Sequence, residues 1–73
     1  MSIEERKQER ISNYMKYRSL ADAKGVTNYQ VSKETGICNV VFSEWKNGKS
    51  QPKYDKLAKL AEYFDTTVEA LLG

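Results

Sequence analysis

The segment spanning residues 27–49, TNYQVSKETGICNVVFSEWKNGK, constrains this chain more than any other stretch. It reads as a short helix, a tight turn at a glycine, and a second short helix that stops at another glycine. Thr27 opens the first helix and Gln30 follows three positions later. That is the spacing of a capping box, in which the Thr27 hydroxyl accepts from the Gln30 backbone N–H and the Gln30 side chain reaches back to the Thr27 N–H. Gly36 takes the left-handed conformation that the turn needs and that a Cβ resists. Val31, Ile37, Val41 or Val40, Phe42 and Trp45 recur at spacings that let the two helices clasp each other. Such a pair is a helix-turn-helix.

Helices are expected on both sides of this unit. The first spans about Ile3–Lys24 and stops at Gly25, with Ile11, Tyr14, Met15, Tyr17, Leu20 and Ala21 as its apolar positions. Its opening residues, 1–12, are mostly charged and read either as a helical extension or as a frayed arm. The motif helices span about 28–34 and 39–46, with Cys38 at the second N-cap. Residues 47–52 are rich in Gly, Asn, Ser and Pro and are expected to be irregular. A fourth helix, about 53–64, places Leu57, Leu60, Ala61 and Phe64 on one face. Thr67 or Thr66 caps a last short helix carrying Val68, Leu71 and Leu72. Nothing alternates as a strand does. The fold class is therefore all-α, a compact five-helix bundle, with residues 1–73 forming one domain.

Composition narrows what such a bundle does. The chain has 73 residues, no His and one Cys. The usual metal sites, Cys–His and Ser–His catalysis and an internal disulfide are thereby excluded, and neither an enzyme nor a cofactor is expected. No apolar run is long enough to span a membrane and the first residues lack a secretory signal, so a cytoplasmic protein is expected. The net charge of +2 is small. Its distribution says more: Lys46, Lys49, Lys53, Lys56 and Lys59 face the single acid Asp55 between positions 46 and 59. Such a cluster suits phosphates, and it equally suits a solvated lysine-rich surface.

With Thr27, Gln30, Val31, Gly36, Ile37, Cys38 and Asn47-Gly48-Lys49 in this order, the chain resembles the phage-repressor and Cro-like (XRE-like) helix-turn-helix family, of the lambda-repressor-like fold. The stretch 53–73 resembles that family's closing helices, so the resemblance covers roughly residues 16–73. It implies a transcriptional regulator, most simply a repressor, that binds double-stranded operator DNA through the helix 39–46. By resemblance, Asn39, Val40, Ser43 and Glu44 occupy base-touching positions. Asn bridges adenine N6 and N7, Val packs on thymine methyls, and Glu accepts from cytosine N4. Periodicity alone leaves Val40 open as a core residue, and Glu44 open as a surface acid that repels phosphate. Gln30 resembles the family's glutamine that holds a phosphate and braces the reader. Asn47 and Lys49 resemble its backbone-clamping residues, Lys53 resembles a basic residue that approaches the minor groove, and Lys46 adds positive charge nearby.

Two positions depart from the family. An Arg in the first helix and a Glu late in the third often pair there, whereas this chain has Ala21 and Lys46. Cys38 stands where Ser or Thr usually caps. A thiol is a poor cap acceptor, and a thiol at a helix N-terminus is a candidate redox switch, although a tolerated small residue explains it as well. A homodimer on DNA is expected through the last helix, where Val68, Leu71 and Leu72 offer more apolar surface than a small domain easily buries. The charged first helix is the second choice. The other function class on this fold is a protein-interaction or antitoxin-type module. If the chain is a fragment, a C-terminal regulatory domain is expected to follow.

Overall fold

The computed structural model describes residues 3–72, with side chains from residue 4 onward. Five helices follow in order: α1 (Ile3–Lys24), α2 (Asn28–Thr35), α3 (Asn39–Lys46), α4 (Tyr54–Tyr63) and α5 (Val68–Leu72). The described residues hold no strand, in keeping with the all-helical reading. α1 packs against α3 and α5, α2 against α3 and α4, and α4 against α5. A 22-residue helix is about 33 Å long, which accounts for the 34 Å long axis of a molecule only 22 × 21 Å across.

The helix ends are set by local chemistry. α1, α3 and α4 each close with paired bonds that satisfy carbonyls left over at a helix C-terminus. At α3, Gly48 N–H donates to the Trp45 carbonyl (3.0 Å) and Lys49 N–H to the Glu44 carbonyl (2.9 Å). This closure needs one residue with positive φ, and Gly48 supplies it at 74°. At α4 the same role falls to Asp65, at φ 55°, the single non-glycine residue with positive φ among those described. Thr67, rather than Thr66, caps α5, accepting from Ala70 N–H at 3.3 Å.

The core is built on Tyr17, which is fully buried midway along α1. Its ring stacks on Phe42 (centroids 5.2 Å apart, planes 20° apart) and meets Trp45 at 5.2 Å and Phe64 at 5.8 Å. Val31, Ile37, Leu60 and Leu71 complete the buried centre. Of the two adjacent valines, Val41 packs against the core and Val40 is 57% exposed. The Trp45 indole N–H is buried without an acceptor among the described residues, at a cost of about 1–3 kcal/mol.

Three expectations are corrected here. Met15 is 66% exposed, because the inward stripe of α1 passes through Tyr14 and Tyr17 and carries position 15 to the outside. α4 begins at Tyr54 with Lys53 as its N-cap, and Phe64 is its C-cap. Leu71 is not surplus apolar surface: it is fully buried where α5 meets α1 and α4, and Leu72 is the large apolar side chain that α5 leaves exposed. The opening of the chain proves to be the helical alternative, since α1 is continuous from Ile3.

Candidate nucleic-acid interface

The motif helices are held at their N-termini and at the turn between them. Thr27 caps α2, its hydroxyl accepting from Gln30 N–H at 3.2 Å. The reciprocal half of the expected capping box is absent among the described residues: the Gln30 side chain is exposed and makes no bond back to Thr27. The turn is closed by Gly36, at φ 79°, whose N–H donates to the Ser32 carbonyl. Ser32 Oγ then donates to the Ile37 carbonyl at 2.5 Å. The buried side chains Val31, Ile37, Phe42 and Trp45 orient the pair.

Burying Phe42 and Trp45 turns the opposite side of α3 outward. Asn39, Val40, Ser43 and Glu44 are all exposed, as are Lys46, Asn47, Lys49 and Lys53 after them. These sequence-selected residues are therefore all solvent-accessible, with a difference at Glu44. Its carboxylate accepts from Ser50 Oγ at 2.9 Å, which ties it to the loop. Cys38 is exposed at the α3 N-cap and its side chain makes no cap bond. The departures at Ala21 and Lys46 leave no buried charge: Ala21 is fully buried and Lys46 is exposed.

Two groups of positioning residues escaped the sequence reading. The first is centred on Asn28, the opening residue of α2. Asn28 Oδ1 accepts from Tyr17 OH (2.7 Å) and Arg18 Nη1 (2.9 Å), and Asn28 Nδ2 donates to Tyr14 OH (2.9 Å). Arg18 also pairs with Asp22 at 2.8 Å. These bonds fix the N-terminus of α2 to α1. Burial pushes the Tyr17 hydroxyl up from 10.0 to about 12, against the opposing pull of Arg18. The hint was an Asn at the first helical turn with tyrosines upstream, but its partners are ten to fourteen residues away.

The second group joins the α1 extension to the loop after α3. Arg10 Nη1 donates to the carbonyls of Gly48 and Lys49, at 3.3 Å each. The nearly buried Asn13 donates to Gln51 Oε1 at 2.9 Å. No sequence signal links positions nearly forty residues apart. Away from this face, Tyr63 OH donates to Glu34, which raises the Tyr63 hydroxyl's pKa. Lys24 lies over the Tyr63 ring, 4.5 Å from its centroid.

The order of helices and the glycine turn agree with a sequence comparison. The profile of the Cro/C1-type HTH DNA-binding domain matches residues 16–73. The chain belongs to the Cro/C1-type helix-turn-helix family. No curated protein and no solved structure matches it. The Cro/C1-type profile covers the end of α1, the motif and both closing helices, and leaves residues 3–15 of α1 outside the match. Among the described residues of this Cro/C1-type domain, no helix is long and apolar enough to cross a membrane.

Proposed function

We propose that this Cro/C1-type domain is a sequence-specific regulator of transcription that occupies duplex operator DNA, most simply as a repressor in the cytoplasm. One observation carries the reading. The outward face of α3 presents Asn39, Val40 and Ser43 free of internal hydrogen bonds, with exposed Lys46, Asn47 and Lys49 directly after them. A helix inserted in the major groove needs side chains of this kind toward base edges and cations toward the flanking phosphates. In this reading Asn39, Val40, Ser43 and Glu44 read bases. Asn47, Lys49 and Lys53 hold the backbone, Lys46 adds charge, and Gln30 with the amides opening α2 meets a phosphate. Glu44 keeps Oε1 free to accept from cytosine N4 while Ser50 holds Oε2, and its charge repels phosphate, so it filters sequences more than it adds affinity.

The test is selection of bound sites from a random duplex library, followed by anisotropy titration at several salt concentrations. Log K against log salt should fall with a slope of about −0.9 per phosphate held. Lys49→Ala should weaken binding to all sequences and reduce that slope by about one. Asn39→Ala and Val40→Ala should each cost about 1–3 kcal/mol at the selected site and leave non-specific binding nearly unchanged. A wild-type slope near zero would overturn the DNA reading and leave a protein-interaction module on the same fold.

A further inference from the structure

We infer that the α1 extension is a second phosphate-binding element, in which Arg6, Lys7 and Arg10 join Lys49 to grip the DNA backbone beyond the reach of the motif itself. The inference rests on the DNA-binding reading above and concerns residues that lie outside the Cro/C1-type match.

The geometry begins with the helix period. At 100° per residue, Arg6, Lys7 and Arg10 fall within an arc of about 100°. The same stripe, continued toward the C-terminus, is the one that buries Tyr14 and Tyr17. α1 thus changes its inward face from aromatic to cationic where it runs past the core and overhangs the loop after α3. Glu9 and Glu4 flank this arc, each about 60° beyond its edge, and Glu5 is turned further round. Among the described residues no carboxylate is within ion-pair distance of Arg6, Lys7 or Arg10, and the one ion pair is Arg18–Asp22.

Packing holds this cationic face against the loop. The Lys7 stem lies on Gly48, where an added Cβ would sit 2.5 Å from Lys7 Cγ and 3.0 Å from the Lys7 carbonyl oxygen. Arg10 uses Nη1 on the Gly48 and Lys49 carbonyls, which leaves Nε and Nη2 without a partner among the described residues. Lys7, Arg10, Asn47, Gly48 and Lys49 line one shallow groove that contains three cations and no acid. Arg6, Glu9, Arg10, Ser50 and Gln51 line a second groove beside it. Asn47 and Lys49 are the residues proposed to clamp a phosphate after the recognition helix. Lys7 and Arg10 share their concavity, so a backbone laid on Lys49 runs along the cationic face of α1. Three unpaired cations held around one open groove suit a polyanion better than a protein surface of mixed charge.

The test uses the full chain and the duplex obtained by site selection. Arg6→Gln combined with Lys7→Met removes two charges, and Met retains the stem that packs on Gly48. The slope of log K against log salt should drop by one to two contacts at about 0.9 each, and binding near 0.1 M salt should weaken roughly tenfold or more on selected and unrelated duplexes alike. Base preference and the unfolding midpoint should be unchanged. Lys7→Met alone should lower the slope by about 0.9. Lys24→Gln, about 25 Å along α1 from Lys7, is the control for net charge and should leave the slope as it is. If wild type binds with a steep slope and the double variant keeps it, the inference is wrong while the DNA reading stands. An equal loss in Lys24→Gln would also overturn it, by showing that total charge suffices. If wild type itself shows no salt-dependent binding, the failure belongs to the DNA reading.

Discussion

Single residues decide how well this scaffold is held. Cys38 caps α3 with a backbone suited to an N-cap (φ −59°, ψ 137°) and a side chain that accepts no hydrogen bond. Ser has the same size and a far better acceptor. Cys38→Ser should therefore raise stability by about 0.5–1 kcal/mol in urea unfolding and retain DNA binding. Loss of wild-type binding on mild oxidation, spared in Cys38→Ser, would instead reveal a redox switch. Tyr17 gives a second residue-scale prediction, at high pH. Its folded pKa of about 12 exceeds the unfolded 10.0. Below pH 10 both states keep the proton and stability is full. Between 10 and 12 the unfolded chain releases it first, so stability falls as pH rises, by on the order of 2–3 kcal/mol across the window. Tyr17→Phe should lose about 1 kcal/mol near neutral pH with the hydroxyl's bond to Asn28. It should also flatten this alkaline decline, as followed by fluorescence-monitored urea unfolding at pH 8 to 11.5.

At the scale of elements, the contact between the α1 extension and the α3–α4 loop decides where Lys49 stands. Gly48 is its hinge point. A methyl there meets Lys7 Cγ, the Lys7 carbonyl and Ile11 Cγ1 (3.1 Å) and imposes φ 74° on a residue with a Cβ. Gly48→Ala should cost about 1–3 kcal/mol, and it should weaken binding to all duplexes by displacing Lys49. Circular dichroism melts separate the two effects: a variant with a wild-type melt and wild-type affinity would show that the extension does not brace the loop. Much of this layout was legible in the residues. Gly25, Gly36 and Gly48 marked three helix ends, and the apolar spacing of Val31, Phe42 and Trp45 marked the inward faces. The α4 end was legible too: Asp65 does there what a glycine does at the other ends, and Asp is among the few residues with a Cβ that enter the left-handed region readily.

For the whole molecule, a single helix laid in the major groove reaches only a few base pairs, too few to select one site among ~10⁶ or more competing sites, so the proposed operator binding requires more than one α3. Two heads on a two-fold axis, with half-sites about 34 Å apart, meet that demand. Two chains per selected palindromic site are expected by analytical ultracentrifugation, and one chain per site at saturation would refute the dimer. Leu71 is unsuited to probe the contact, because its full burial makes Leu71→Glu a folding defect. Leu72, 37% exposed on the same short helix, is the better position. Leu72→Glu should lower cooperativity on the palindrome and leave the melt intact. A similar loss from charge reversal on α1 would move the contact to the long helix.

The sequence by itself determined the helices, the motif and the outward positions Asn39, Ser43 and Glu44 of α3, because each follows from interactions within a few residues: a cap, a glycine turn, a period of 3.6. It left open which of Val40 and Val41 faces inward, since neighbouring positions on a helix differ by 100° and the choice depends on what packs opposite. Tertiary structure settled that with Tyr17 and Phe42. It also decided what no local rule reaches. Asn28 meets three α1 side chains, Leu71 is absorbed into the core, and a charged opening segment becomes a helix braced on Gly48 and Gln51. Each depends on residues brought together across ten or more positions of chain. Such contacts form only when the whole apolar core closes, and that closure is what brings Lys7 and Arg10 into one groove with Lys49.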